Sequence, residues 1–295
     1  MTAECKHCEA GGNAESIIPL TSDEIHVWLT FCESMREERL LVAYRGLLND
    51  GEKEEESRFY FAKDRQRYLV TRALVRTVLS RYAPVDPKDW VFSTNANGQP
   101  HIVNPEATDG CLSFSVSHTQ ELIVLGVAKG RSLGVDAENL NTRGISIDIA
   151  KHYFAPEEAA ALREVPHHQQ QFRFLEYWTL KESYIKARGM GLSLPLDRFS
   201  FHFPDDHAVD LVINSELKDD SSRWQFWQFQ PTPQHLLAVC VEKLDAQSLR
   251  LLVRETIPTS SERIVAPQVL RTSEIPQQNA AIERHTRQVC IRLRT

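Results

Sequence analysis

Apolar residues recur every fourth position between 62 and 82. Val70, Leu74, Val78 and Tyr82 form one line, with Leu69 and Ala73 beside them. That spacing predicts an amphipathic helix. Arg65, Arg67, Arg72, Arg76 and Arg81 fill other positions, and Pro84 stops the pattern. Helical periodicity returns over 156–163 and 169–189. Elsewhere the period is two. CLSFSV (111–116) alternates as a half-buried strand does, whereas ELIVLGVA (121–128) is apolar enough to be buried on both faces. SLGVDAE (132–138), FSFHF (199–203), LVIN (211–214), RWQFWQF (223–229) and HLLAVCV (235–241) are also strand-like. Residues 23–48, with Ile25, Trp28, Leu29, Leu40 and Leu41, predict a strand and then a helix. The charge run NDGEKEEESR (49–58) reads as a solvated loop or helix start.

Strand and helix sets occur twice along the chain, although no direct repeat of residues is visible. The expected class is α/β, in the α+β sense. Residues 1–20 are small and polar and read as a mobile leader. An N-terminal α/β half is expected over 21–130 and a C-terminal one over 131–244. Residues 245–295 contain eight Arg, no Lys and five acidic residues, with Pro258, Pro267 and Pro276 interrupting them. They read as a loosely structured extension of unknown role, with LRLLV (249–253) its one strand candidate.

A length of 295 residues fits two modest domains. Net charge is −6, which argues against general nucleic-acid binding. No run approaches the roughly 18 apolar residues that span a bilayer. MTAECKHCEA has no basic start followed by an apolar core, so no signal peptide is expected and the cytoplasm is the default location. The six cysteines are too scattered for a disulfide scaffold. Cys5 and Cys8 form a CxxC pair around His7, but no second pair lies nearby to complete a zinc site.

Four segments carry candidate chemistry. Asp136 and Glu138 stand two apart on a strand, so both carboxylates share a face and offer hard oxygen ligands of the kind Mg²⁺ takes. Taken alone, they are also what ordinary surface charge at a strand end looks like. Trp178, Glu182 and Lys186 follow at i, i+4, i+8 on one helix face. They are either a third carboxylate with a cation one turn on, or a plain surface ion pair. Ser117 and His118 end a strand where a turn begins and can hydrogen-bond phosphate oxygens. They point to opposite faces, which argues against a hydrolase dyad. Asn97-Gly98 marks a turn, within FSTNANGQPHI (92–102), that exposes backbone groups able to read a nucleotide base.

In combination these segments resemble the 4′-phosphopantetheinyl transferase superfamily, in its long, Sfp-type branch. NGQPHI (97–102), FSVSHT (114–119), LGVDAE (133–138) and WTLKESYIKARGMGLSLPL (178–196) run in the family's order, and the last follows its W-x-x-K-E-[AS]-x-x-K-x-x-G signature. The resemblance covers roughly residues 20–243. It implies a pseudodimer of two similar α/β halves, with coenzyme A in the cleft between them. It implies Mg²⁺ held by Asp136, Glu138 and Glu182, with Glu182, Asp136 and Lys186 catalytic. Arg67, Gln99, Ser117, His118, Lys181 and Lys186 are the implied coenzyme A contacts. The implied partner is an acyl or peptidyl carrier protein, or a carrier domain, of fatty-acid, polyketide or nonribosomal-peptide synthesis. A monomer is expected, without nucleic acid or membrane. Two departures remove positive charge from the expected nucleotide end: Gln99 stands where the family often has lysine, and EKEEESR (52–58) precedes the arginine helix. The rival readings are a Mg²⁺-dependent hydrolase and a catalytically dead carrier-binding protein. The segment NLNTRGISIDIAKHYF (139–154), with Arg143, Ile145, Ile147 and Lys151, is the expected carrier-docking surface.

Overall fold

The computed structural model describes residues 17–32, 35, 37–108, 111–142, 147–244 and 248–273. Cys5, Cys8, Arg143 and Ile145 fall outside them.

Strand β1 (Glu24–Phe31) opens the first half and is followed by helices α1 (Glu38–Arg45), α2 (Asp50–Arg58) and α3 (Ala62–Leu79). A small hairpin of β2 (Phe92–Thr94) and β3 (Pro100–Ile102) and the single turn α4 (Pro105–Thr108) lead to β4 (Leu112–His118) and β5 (Leu122–Lys129). The second half repeats that order. It runs β6 (Leu133–Asn139), α5 (Ala150–Tyr153), α6 (Pro156–Glu164), α7 (His167–Arg188), the pair β7 (Phe199–His202) and β8 (Asp210–Ile213), then β9 (Trp224–Thr232) and β10 (His235–Glu242). One sheet contains β1-β5-β4 and the other β6-β10-β9, every pair antiparallel. In both, the last strand of the half pairs with its first. The duplication therefore lies in topology and periodicity, and the α/β architecture of two similar halves is borne out.

Alternation along the strands builds four layers. Ile25, Val27 and Leu29 of β1 pack with Val135 and Ala137 of β6 and Leu237 and Val239 of β10, forming the core between the sheets. Trp28, Ile123 and Leu125 turn the other way, onto Leu69, Val70, Ala73 and Leu74 of α3. Leu236, Ala238 and Cys240 on the far face of the second sheet carry α7 through Leu180 and Tyr184. The sheets also meet edge to edge. The amides of Val135 and Ala137 on β6 donate to the hydroxyls of Ser115 (3.0 Å) and Ser117 (3.2 Å) on β4. Two serine side chains thus satisfy amides that an edge strand leaves open.

Two sequence expectations change. Of its two readings the charge run 49–58 takes the helical one, as α2, because Asn49 and Glu52 form a reciprocal capping box; what changes is that it is not wholly solvated. Glu52 is also buried as the partner of Arg72 and Arg76 on α3. The expected loose extension instead supplies β11 (Arg250–Ile257), parallel to β1; β12 (Ser261–Val265), antiparallel to β11; and β13 (Gln268–Thr272), antiparallel to β9. Pro258 and Pro267 fall between these strands, where no ladder amide is needed. Polar composition misled the reading because β11 and β12 are half-exposed.

Candidate functional site

Helix α7 lies directly on β6 because residue 134 has no side chain. A Cβ built there would stand 1.9 Å from the Ser183 carbonyl oxygen. That contact brings the Glu182–Lys186 turn over the strand carrying Asp136 and Glu138. Helical spacing supplies one side of the site, strand spacing the other.

Asp136 is buried, and its Oδ1 accepts from Lys186 Nζ at 2.6 Å and from Ser117 Oγ at 2.9 Å. Lys186 Nζ also donates to the Val135 carbonyl at 3.1 Å. The i,i+4 pairing of Lys186 with Glu182 that the helix allowed is thus replaced by a cross-element pair. Asp136 Oδ2 is buried with no hydrogen-bond partner. Burial first, and the Asp136 charge second, push Glu138 up to about 7; a hydrogen bond from Trp178 works against the shift. Glu182 is raised by the same two causes in the same order. Glu138 feels the charges of Asp136 and Glu182, and Glu182 that of Asp136; three such carboxylates, one with an unpartnered oxygen, suit a hard divalent cation in donor type. Among the described residues no three such side chains stand in ready-made ligand geometry; the ammonium of Lys186 sits against Asp136 instead.

The remaining sequence candidates divide. Ser117 and His118 do point apart: Ser117 is buried beside Asp136, while His118 is at the exposed end of β4. The Ser117 hydroxyl gives its one proton to Asp136 and accepts the Ala137 amide. In this arrangement it holds the carboxylate. Desolvation of its ring, and then the Arg67 charge, hold His118 below the usual histidine range. Arg67 is paired with Asp64 at 2.9 Å. Gln99 meets the site through its amide, which donates to the Lys186 carbonyl at 2.7 Å.

Lys181 does not belong to the site. It is fully buried, and its ammonium meets the carbonyls of Leu196 (2.8 Å) and Phe199 (2.7 Å) and Glu158 Oε2 (2.8 Å). All three protons are used inside the second half, so the expected contact with coenzyme A is corrected to a structural one. Its place beside Glu182 in sequence carried no information about direction: one step along a helix turns a side chain by about 100°.

A pocket of about 230 Å³ joins the two halves, lined by Asn97, Gln99, Ser115, Glu182, Lys186 and Gly189 among others. A larger hollow of about 340 Å³, under the β11–β12 turn, shares no residue with it. Sequence reading missed Asn95, which with Asn97 reaches the end of α7, and Ser115, which serves beside Ser117. The alternation S-x-S in FSVSH and the asparagines of NANG were the available signals.

Comparison with known proteins agrees with this arrangement. A family model described as 4′-phosphopantetheinyl transferase superfamily matches residues 132–240, and one described as 4′-phosphopantetheinyl transferase, N-terminal, matches 35–129. The two matches meet at the β5–β6 turn. The 4′-phosphopantetheinyl transferase HetI of a Nostoc species is 34% identical over 176 residues, covering 60% of this chain and 73% of that protein. The 4′-phosphopantetheinyl transferase Sfp of Bacillus subtilis is 33% identical over 202 residues, covering 68% and 85%. The chain belongs to the 4′-phosphopantetheinyl transferase superfamily, in its Sfp-type branch, and is a transferase. Among the described residues no helix is long and apolar enough to cross a membrane.

Proposed function

We propose that the enzyme transfers the 4′-phosphopantetheine arm of coenzyme A to a serine of an acyl or peptidyl carrier protein, converting apo carrier to holo. The serine oxygen bonds to the phosphorus on the pantetheine side of the pyrophosphate. The phosphoanhydride bond to that phosphorus breaks, and adenosine 3′,5′-bisphosphate leaves. Glu182 takes the serine proton. Its raised pKa makes it a stronger base than an ordinary surface carboxylate. Lys186 supplies a fixed cation to the pyrophosphate, and His118 and Arg67 supply donors at the end of β4. Asp136, Glu138 and Glu182 would hold Mg²⁺, which on binding neutralises charge on the transferring phosphoryl group. The observation that supports this reading is the placement of Glu182 and Lys186 on a pocket lined by both halves, with the Lys186 ammonium bonded to Asp136 of the neighbouring strand.

For the carrier surface we keep the segment after β6. Its described part offers Ile149 and Tyr153, 38% and 54% exposed. Lys151 is paired with Asp148 at 2.5 Å. A few apolar contacts with little charge suit a partner met by an enzyme of net charge −6. The cytoplasmic location and monomeric state expected from the sequence go with this reading.

The test is the mass of a purified apo carrier domain after incubation with coenzyme A, Mg²⁺ and enzyme. A gain of one phosphopantetheine arm is expected, lost when a chelator removes the metal and regained when Mg²⁺ is added back. A carrier whose mass never changes, across carriers of all three synthase types, overturns the reading.

A further inference from the structure

The last carbonyls of a helix have no partners within it. At the end of α7 the Gly189 amide turns back onto the Lys186 carbonyl at 3.1 Å, and side chains of the other half supply further donors. Gln99 Nε2 donates to the Lys186 carbonyl at 2.7 Å, and Asn95 Nδ2 (2.9 Å) and Asn97 Nδ2 (3.0 Å) both donate to the Gly189 carbonyl. The turn that presents these amides is itself braced. Asn95 Oδ1 accepts the amides of Asn97 (2.9 Å) and Gln99 (3.0 Å), and Gly98 takes the left-handed conformation, φ 82°, that closes it. The receiving side is shaped to match. Gly189 ends the helix at φ 64°, and a Cβ on it would lie 2.6 Å from Gln99 Oε1.

Lys186 is consequently held at two points. Its ammonium is bound within the second half, by Asp136 and the Val135 carbonyl. Its carbonyl is bound by Gln99 of the first half. The halves cannot shift at the pocket without moving this residue or breaking that bond.

We propose that the 95–99 turn is a latch between the halves and that Gln99 is a positioning residue for Lys186, acting through its amide on the helix end and not by touching the donor substrate. The proposal rests on the reading of Lys186 as the pyrophosphate cation. It gives the neutral residue at position 99 a task that needs a hydrogen-bond donor and no charge. A lysine there can do the same, because a helix C-terminus accepts a cation.

The experiment is a double-mutant cycle on the full chain, with Gln99→Glu, Lys186→Ala and the pair, in steady-state assays varying coenzyme A and carrier separately. Gln99→Glu keeps size and removes the donor. It is expected to raise KM for coenzyme A about fivefold, the worth of one hydrogen bond of this kind. KM for the carrier is expected to hold, and the melting temperature to fall by a few degrees as the bond between the halves is lost. In the Lys186→Ala background the same change is expected to do almost nothing, since its effect runs through the lysine. Equal losses in both backgrounds would show Gln99 acting on the donor directly and overturn the proposal. A Lys186→Ala enzyme with unchanged coenzyme A kinetics would instead overturn the reading of Lys186, and the latch's purpose with it. If Gln99→Glu does not fold, Gly189→Ala makes the same test from the other side by pressing a methyl group on the Gln99 oxygen; wild-type KM for coenzyme A in that variant overturns the latch.

Discussion

Lys186 pairs with Asp136, Nζ to Oδ1 at 2.6 Å, across fifty residues of sequence and not with Glu182 one turn back on its own helix. The choice follows from packing. With Gly134 under the helix, the β6 carboxylate is buried where, among the described residues, Lys186 and Ser117 are its side-chain hydrogen-bond partners, and a buried charge needs a partner more than an exposed one does. Glu182 is left to face the pocket.

Asp136→Asn is therefore expected to abolish transfer without unfolding the protein. The amide keeps the side chain's size and an acceptor for Ser117 and Lys186, but loses the charge that a cation or the ammonium requires. Carrier mass measures the first effect and far-ultraviolet circular dichroism the second. A variant with wild-type turnover and an unchanged Mg²⁺ requirement removes Asp136 from the site.

The strand and helix periods made most of this legible. Two carboxylates two apart, and an acid and a base four apart, defined two faces before their meeting was known. What periodicity does not carry is the angle at which the faces meet, and that depends on Gly134, whose role is the absence of a side chain. Lys181 shows the converse: a charged residue inside a recognisable motif points into the core, where Glu158 awaits it from α6. The strands after residue 249 were missed for a different reason. An edge strand buries only part of its side chains, so Arg250, Arg254, Glu255 and Glu262 look like a solvated tail when they are paired ions on a sheet surface. Asn97 was seen as a turn former and Asn95 not at all, and nothing local says that a turn's amides cap a distant helix.

Gly134→Ala is expected to be among the most damaging small substitutions in the chain. The added carbon meets backbone atoms, the Ser183 oxygen at 1.9 Å and the Ala187 nitrogen at 2.5 Å, and backbone cannot rotate away. The helix must lift off the strand. Overpacking costs about 1–3 kcal/mol and occasionally more; activity is expected to fall further than stability, because the site spans the displaced surfaces. Thermal unfolding and carrier modification, measured together, check this. A variant as stable and active as the parent would mean that α7 does not sit on β6 so closely.

Acid is expected to destabilise the fold through His26. Its ring is buried, and Tyr82 takes the Trp28 N–H (2.8 Å) and so gives its own proton to His26 Nδ1 (2.7 Å). Burial, and then the Arg254 charge, lower the folded pKa to about 4 from an ordinary value of 6.5. The unfolded chain binds the proton first. Stability from the neutral ring is complete above pH 6.5 and is lost progressively as pH falls toward 4. Melting temperatures between pH 7 and 4 are expected to fall less steeply for His26→Gln than for the parent, even if the variant is less stable at pH 7. Parallel curves would assign the acid sensitivity to other groups.

Removing residues 246–295 is expected to destroy the fold, although the sequence alone suggests a dispensable tail. β11 lies beside β1 in the first sheet, and β13 lies beside β9 in the second. The segment therefore straps the two halves together on the side away from the β4–β6 serine contacts. Two interior points of its described part are fixed by buried groups: the Tyr44 hydroxyl donates to the Pro258 carbonyl at 2.9 Å, and Arg271 pairs with buried Glu176 at 3.0 Å while covering the Phe203 ring at 4.0 Å. Deletion would expose the β1 edge and leave Glu176 with Arg173 alone. A point substitution separates loss of the strap from loss of bulk. Arg271→Leu keeps apolar cover over Phe203 and removes the charge; breaking a buried pair costs about 3–5 kcal/mol when no other partner remains, and Arg173 brings this case to or below the lower end. The expected result is an insoluble or unfolded truncation, and an Arg271→Leu enzyme that folds, melts at lower temperature and still modifies a carrier. A soluble, active truncation would return the segment to the status of a tail and show that the strand–helix–hairpin halves hold each other without it.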